Sequence, residues 1–211
     1  MAIVNFSRVS SAAVLGACAA SFALTLTACS SDSGAPAAST ASTADVTASP
    51  VTEAAGPDGG CPTAAPANAG TPEWTLPGAT GTVAVTGSTD TAAPVVKVSA
   101  PFSVAETQVH TLQAGTGPVV APTATVSVCY MGVNGRDGSV FDSSYERGEP
   151  AEFSLDGVVP GFQKAIAGQK VGSTVAVAMV PADGYPQGQP AAGIQPGDTL
   201  VFAIKILSAS S

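Results

Sequence analysis

Apolar spacing divides this 211-residue chain into two unlike halves. The C-terminal half alternates, or runs in short apolar blocks separated by turns. Thr107 to Gln113 alternates, with Val109, Thr111 and Gln113 on one face and Gln108, His110 and Leu112 on the other. That period of two predicts a half-exposed strand. Ala114-Gly115-Thr116-Gly117-Pro118 then turns the chain. Thr123 to Met131 reads as a strand with Ala124, Val126, Val128 and Tyr130 on one face. Asn134-Gly135-Arg136-Asp137-Gly138 is a tight turn built from residues that tolerate positive φ. Val140 to Ser144 reads as a short piece that leaves the sheet, and Ala151 to Leu155 as another strand. At Pro160 the period changes. Proline suits the first helical position, Phe162, Ala165 and Ile166 share one helical face, and Gly168 ends the helix. Thr174 to Val180 and Thr199 to Leu207 are long apolar runs with β-branched residues, which predicts central strands. One short helix against an antiparallel sheet is an α+β arrangement.

The N-terminal half has a different texture. From Ser30 to about Asn68 it is Ala, Ser, Thr, Pro, Gly and Asp, with almost no large apolar side chain. Such a segment cannot bury enough surface to offset chain entropy, so residues 29–68 are expected to form a disordered tether. β character returns in Trp74-Thr75-Leu76, Thr82 to Thr86 and Pro94 to Val98, with Gly and Pro turns between them. Residues 69–106 are therefore expected to add strands, or a clasp, to the domain that follows.

The first 28 residues carry the one targeting-like apolar stretch. Arg8 is a weak positive n-region, and Val14 to Leu26 an apolar core. Leu26-Thr27-Ala28-Cys29, followed by Ser30-Ser31-Asp32-Ser33-Gly34, resembles the lipobox of bacterial lipoproteins. The resemblance implies cleavage before Cys29 and attachment of a diacylglycerol to its thiol. The protein would then be held on the extracytoplasmic face of the cell membrane, since two acyl chains anchor far more firmly than one. An ordinary secretory signal cut near Ala28, with an incidental cysteine, is the alternative. Cys18 leaves with the signal on either reading. Cys61 and Cys129 remain in an oxidising compartment, either as a disulfide or as two free thiols.

Charge narrows the partners. The formal net charge is -8, with only seven Lys and Arg. Phosphate contacts need basic clusters, so nucleic acid is not an expected ligand. No Cys, His and carboxylate spacing suggests a metal site, and no nucleophile–base pair or phosphate-binding glycine motif is visible. His110, the one histidine, falls on an exposed strand face. Tyr130, Phe141, Phe153, Phe162, Tyr185 and Phe202 each lie on a different segment. By themselves they read first as the core of a small domain and only second as a site.

Their setting separates the two. Val128-Cys129-Tyr130-Met131-Gly132 is followed by Gly138-Ser139-Val140-Phe141-Asp142-Ser143-Ser144. Then come Phe153-Ser154-Leu155, Val158-Val159-Pro160-Gly161-Phe162 and Gly168-Gln169-Lys170-Val171-Gly172. Val180-Pro181-Ala182-Asp183-Gly184-Tyr185 and Ile194-Gln195-Pro196-Gly197-Asp198-Thr199-Leu200-Val201-Phe202 complete the series. In order and spacing this resembles the FKBP-type peptidyl-prolyl cis–trans isomerases over roughly half the chain, residues 107–208. The resemblance implies an FKBP-like antiparallel sheet of five or six strands wrapped around one short helix. Between them it implies a shallow apolar pocket for a proline ring. Carried over by position, Tyr130, Phe141, Phe153, Val158, Val159, Phe162, Ile194 and Phe202 would line that pocket. Phe162 would be its floor, where many members have Trp. Asp142 and Tyr185 would supply polar contacts at the rim, and the Val159 N–H would bind a substrate carbonyl. No cofactor is implied. The implied partners are proline-containing exported polypeptides, with macrolide inhibitors as competitors. The loop from Pro186 to Gly193 departs from the family pattern, which bears on ligand selectivity. The alternative function is a non-catalytic proline-binding chaperone or adaptor lipoprotein that uses the same pocket.

Overall fold

Nine strands and two short helices occur among residues 60–68 and 70–210, the part of the chain that the computed structural model describes. The expected signal segment, the lipid acceptor Cys29 and most of the expected tether lie outside the described residues. The first three strands, β1 (Trp74–Pro77), β2 (Thr80–Thr86) and β3 (Val95–Ser103), form an antiparallel sheet in that order. The other six, β4 (Gln108–Gln113), β5 (Thr125–Asn134), β6 (Val140–Ser143), β7 (Ala151–Ser154), β8 (Thr174–Met179) and β9 (Leu200–Ser210), form a second sheet. Its order is β4-β8-β9-β5-β6, and β7 also pairs with β5. Helix α1 (Ser144–Arg147) lies between β6 and β7, and α2 (Pro160–Ile166) between β7 and β8.

The long apolar runs are central strands because both of their faces are covered. Every residue of β8 is buried. Val175, Val177 and Met179 share a core with Phe202, Ile204 and Ile206 of β9 and with Phe162, Ala165 and Ile166 of α2. The intervening Ala176 and Ala178, with Val201 and Ala203, share a second core with Val83, Val85 and Phe102 of the three-stranded sheet. Side chains alternate across a strand, so large residues meet the helix and mostly small ones let the second sheet approach. Residues 74–103 thus cover the back of the six-stranded sheet. Trp74 also stacks on the exposed His110 ring of β4, with centroids 5.6 Å apart.

Helix α2 begins as its sequence predicts. Val159 is extended at the N-cap, and Pro160 follows within the first turn. Gly161 faces Met179 so closely that an added Cβ would lie 2.8 Å from its sulfur. Gly168 follows the helix with φ 82, a conformation that suits glycine.

Three expectations differ from the structure. Val140 to Ser143 does not leave the sheet; it pairs with β5 through Met131↔Ser143, Gly132↔Asp142 and Val133↔Val140. A register shift beside Gly132 accommodates it, and the Phe141 ring lies over Gly132, where a Cβ would come within 2.6 Å. Helix α1 has no counterpart in the apolar pattern. Its four residues include only Tyr145 as a buried large side chain, and Gly148 closes it in the left-handed conformation, a common C-terminal cap. The expected tether also ends sooner than Asn68. Cys61 is buried and joined to Cys129 by a disulfide, with Cα atoms 5.6 Å apart. Its N–H donates to Gly148 O at 3.0 Å, and Ala64 O accepts from the Ala93 N–H at 2.9 Å. A covalent bridge and these backbone bonds hold residues that have no apolar bulk of their own.

Phe102 is 2% exposed and sits between the two sheets. Truncating such a buried aromatic costs about 3 kcal/mol or more. Phe102→Ala is expected to lower the thermal midpoint by roughly 10 °C in a calorimetric scan. A shift of only a degree or two would mean that the small sheet is a loose appendage.

Candidate functional site

An apolar hollow opens where α2 meets the concave side of the six-stranded sheet. It is lined by Tyr130, Phe141, Asp142, Phe153, Val158, Val159, Phe162, Tyr185 and Phe202, and its volume is about 120 Å³. That is below the usual range for drug-sized ligands, and of a size for one small ring. Five aromatic rings fix its shape. The Phe162 ring meets Tyr130, Phe153 and Phe202 edge-on, with centroid distances of 6.0, 5.6 and 5.5 Å and interplanar angles between 75° and 87°. Phe141 meets Phe202 in the same manner at 5.5 Å. Edge-to-face contacts of this kind favour one arrangement of rings over a loose apolar filling.

Each wall has its own support. Tyr130 and Phe202 come from the adjacent strands β5 and β9, and Phe141 and Phe153 from the edge pieces β6 and β7. Val158 and Val159 form the approach to α2. The Val159 carbonyl accepts from Phe162 and Gln163, while its N–H has no protein acceptor among the described residues. Tyr185 follows the 3₁₀ turn Pro181–Asp183. That turn is tied down by Asp183, which accepts from Lys164 Nζ at 2.8 Å and from the Thr107 hydroxyl. Ile194 stands apart from the other residues singled out in the sequence. It is 2% exposed and packs in the same apolar cluster as Tyr130, Phe162 and Phe202, without reaching the lining of the hollow. Its backbone bridges to Gln189 across the Pro190–Ala192 turn.

The polar edge is a three-residue network. The Tyr130 hydroxyl donates to Asp142 Oδ2, and Arg147 Nη1 donates to Asp142 Oδ1 at 2.6 Å. Arg147 Nη2 reaches the Tyr130 hydroxyl oxygen at 3.1 Å, and its guanidinium carbon lies 5.7 Å from the Tyr130 ring centroid. Asp142 therefore holds two neighbouring side chains. Burial raises its carboxyl, but the hydrogen bonds from Tyr130 and Arg147 and the Arg147 charge outweigh burial and leave it below the ordinary value. Tyr130 is pushed up to about 12, first by burial and then by its bond to the carboxylate, with Arg147 opposing. Its hydroxyl thus stays a proton donor across the physiological range.

Sequence reading missed Arg147. The signal was its position five residues after Asp142, which a single turn of helix brings back beside the carboxylate. It missed Ser144 as well. On the outer edge of β5, β7 takes Thr125 to Val128 and β6 takes Met131 to Val133. The Tyr130 N–H falls between them and donates to Ser144 Oγ at 2.8 Å. A second network, in which the buried Asp198 accepts from Asn134, Arg136 and the Gln195 N–H, ties the Gly193–Asp198 loop to the β5–β6 turn.

An antiparallel sheet closed by a short helix, with an aromatic hollow between them, defines a small α+β protein. Residues 117–207 match the family model of FKBP-type peptidyl-prolyl cis–trans isomerase. A probable FK506-binding protein from Corynebacterium glutamicum is 38% identical over 96 residues, covering 45% of this chain and 80% of that protein. An outer membrane protein MIP from Legionella longbeachae is 39% identical over 102 residues, covering 48% of this chain and 43% of that one. The crystal structure of FkpA from Escherichia coli aligns with a TM-score of 0.45 at 36% identity, covering 49% of this chain and 48% of that chain. The chain belongs to the FKBP-type peptidyl-prolyl cis–trans isomerase family. It spans less than half the length of most of the curated relatives it matches.

The network makes a prediction about protonation. A nearby negative charge disfavours ionisation of a phenol. Asp142→Asn is therefore expected to lower the Tyr130 pKa from about 12, read from the ring carbon shift of labelled tyrosine across an alkaline titration. A Tyr130 titration that does not move would contradict the Asp142–Tyr130 contact.

Proposed function

We propose that this chain is a lipid-anchored peptidyl-prolyl isomerase that assists the folding of exported proteins. One observation carries the reading. Nine side chains expected from the family pattern converge on one ring-sized apolar hollow. In this account the proline ring stacks on Phe162 between Tyr130, Phe153 and Phe202. The Val159 N–H binds a carbonyl of the bound peptide. Tyr185 orients the chain at the rim.

The chemistry needs no covalent step and no cofactor. An X-Pro peptide bond has nearly balanced isomers separated by a barrier of about 18–20 kcal/mol, because rotation breaks amide resonance. The planar amide is a charge-separated resonance hybrid, and the twisted amide is less so. An apolar pocket withholds solvation from the planar form more than from the twisted one. The pocket thereby binds the transition state in preference to either ground state. The Tyr130–Asp142–Arg147 network keeps polar groups paired at one edge, so the floor stays dry.

The anchor rests on the sequence. Leu26-Thr27-Ala28-Cys29 has the form of a lipid-acceptor site. No helix among the described residues is long and apolar enough to cross a membrane. Client polypeptides would meet the pocket outside the cytoplasm. Macrolides would compete for it, with their affinity set in part by the loop from Pro186 to Gly193.

Two measurements test these proposals. Phe162→Ala is expected to lower kcat/KM on a Leu-Pro or Phe-Pro peptide by about 30-fold or more, the loss of roughly 2 kcal/mol of transition-state binding. Tyr185→Phe is expected to lower it by only a few fold. Unchanged turnover in a folded Phe162→Ala protein would remove the pocket assignment. Cys29→Ala is expected to move the protein from the membrane fraction to the soluble fraction of a bacterial host. Retention in the membrane would rule out the lipid anchor.

A further inference from the structure

Resting on the isomerase reading, we infer that Cys61, through its bridge to Cys129, is a positioning residue for the polar wall of the pocket. Cys61 and Ser88 lie outside the matched family segment, residues 117–207, yet both support the helical turn that carries Arg147.

Helix α1 has four residues, too few to persist without outside support. It is held at three points. At its start, Ser144 Oγ accepts the Tyr130 N–H at 2.8 Å and lies 3.4 Å from Cys61 Sγ. In its middle, Tyr145 is 2% exposed, packs with Cys61, Ala93 and Cys129, and donates from its hydroxyl to Ser88 Oγ at 2.8 Å. At its end, Gly148 O accepts the Cys61 N–H at 3.0 Å. The bridge closes this into a loop, because Cys129 immediately precedes Tyr130. Tyr130 and Arg147 are thus tied to the same covalent strap. The Arg147 side chain is half exposed, and such an arginine on a loose turn would sample many rotamers. Fixed on α1, it meets Asp142 and Tyr130 together. The bridge itself is buried at both ends, with Cys61 4% and Cys129 1% exposed. Both sulfurs are thus shielded from solvent in the folded protein.

The experiment is a double-mutant cycle on the full chain, with a readout that does not depend on catalysis. Nitrogen-15 spectra of the wild-type protein should show resolved Arg147 Nη signals, the mark of a guanidinium fixed by its partners. Cys61→Ala/Cys129→Ala should merge them. In the cycle, bridge removal and Arg147→Met should each lower kcat/KM, by about five- and tenfold. Their combination should lower it by about tenfold instead of about fiftyfold, because coupled residues are not additive. Ser88→Ala, which leaves the bridge intact, should broaden the same Arg147 signals, and it serves if the bridge-free protein does not fold. Arg147 signals unchanged in these variants, or losses that multiply in full, would overturn the inference. Resolved signals in a wild-type protein that isomerises nothing would count against the isomerase reading alone.

Discussion

Burial of β8 and β9 on both faces is the constraint from which the rest of the molecule follows. A strand covered on both sides favours apolar residues, and after Thr174 β8 supplies them without a break in Val175-Ala176-Val177-Ala178-Met179. The alternation is one of size more than polarity. Val175, Val177 and Met179 support α2, while Ala176 and Ala178 leave room for the Val83, Val85 and Phe102 side of the second sheet. Had the back face been solvated, these positions would carry polar residues. Residues 74–103 are in this sense part of the isomerase-like domain's own core.

The hollow is the concave core left incomplete. Phe202 continues the β9 row that Ile204 and Ile206 form beneath α2, and Tyr130 continues the row of Val126 and Val128 on β5. Beside α2 those rows end at a hollow that Tyr130, Phe202 and Phe162 line together. Rigidity comes from the packing behind. Gly161 against Met179 and Gly132 beneath Phe141 are contacts in which a single added carbon would clash. At the polar edge, one carboxylate takes hydrogen bonds from a phenol and a guanidinium. The charged groups of Asp142 and Arg147 are paired, so apolar walls and a charged rim share one small site without a buried unpaired charge.

The parts of this arrangement that were legible in the sequence are those written in periodicity. Phe162, Ala165 and Ile166 marked the buried face of α2 because the helical period is long enough to read over seven residues. The runs around Val177 and Ile204 marked the central strands. Val140 to Ser143 misled because its pairing is a matter of backbone and of the bare surface of Gly132, neither of which leaves an apolar pattern. Helix α1 was invisible for the same reason: its support comes from Cys61 and Ser88, distant in sequence. Ile194 had the right chemistry for a pocket wall, but its side chain is buried in the apolar cluster. The expected tether reached Asn68 because composition reports bulk and not covalent bonds. The Gly, Pro, Thr and Ala next to Cys61 bring no apolar bulk, and the Cys61–Cys129 disulfide holds the segment instead.

The central claim is that the aromatic hollow lowers the barrier to rotation about an X-Pro bond and does not merely hold proline. Two-dimensional exchange NMR on a short Xaa-Pro peptide, with the wild-type protein at a small fraction of the peptide concentration, tests this most directly. Exchange cross-peaks between the cis and trans proline signals are expected on a timescale where the free peptide shows none. Signals shifted or broadened by binding, with cis and trans forms still exchanging at the uncatalysed rate, would contradict it.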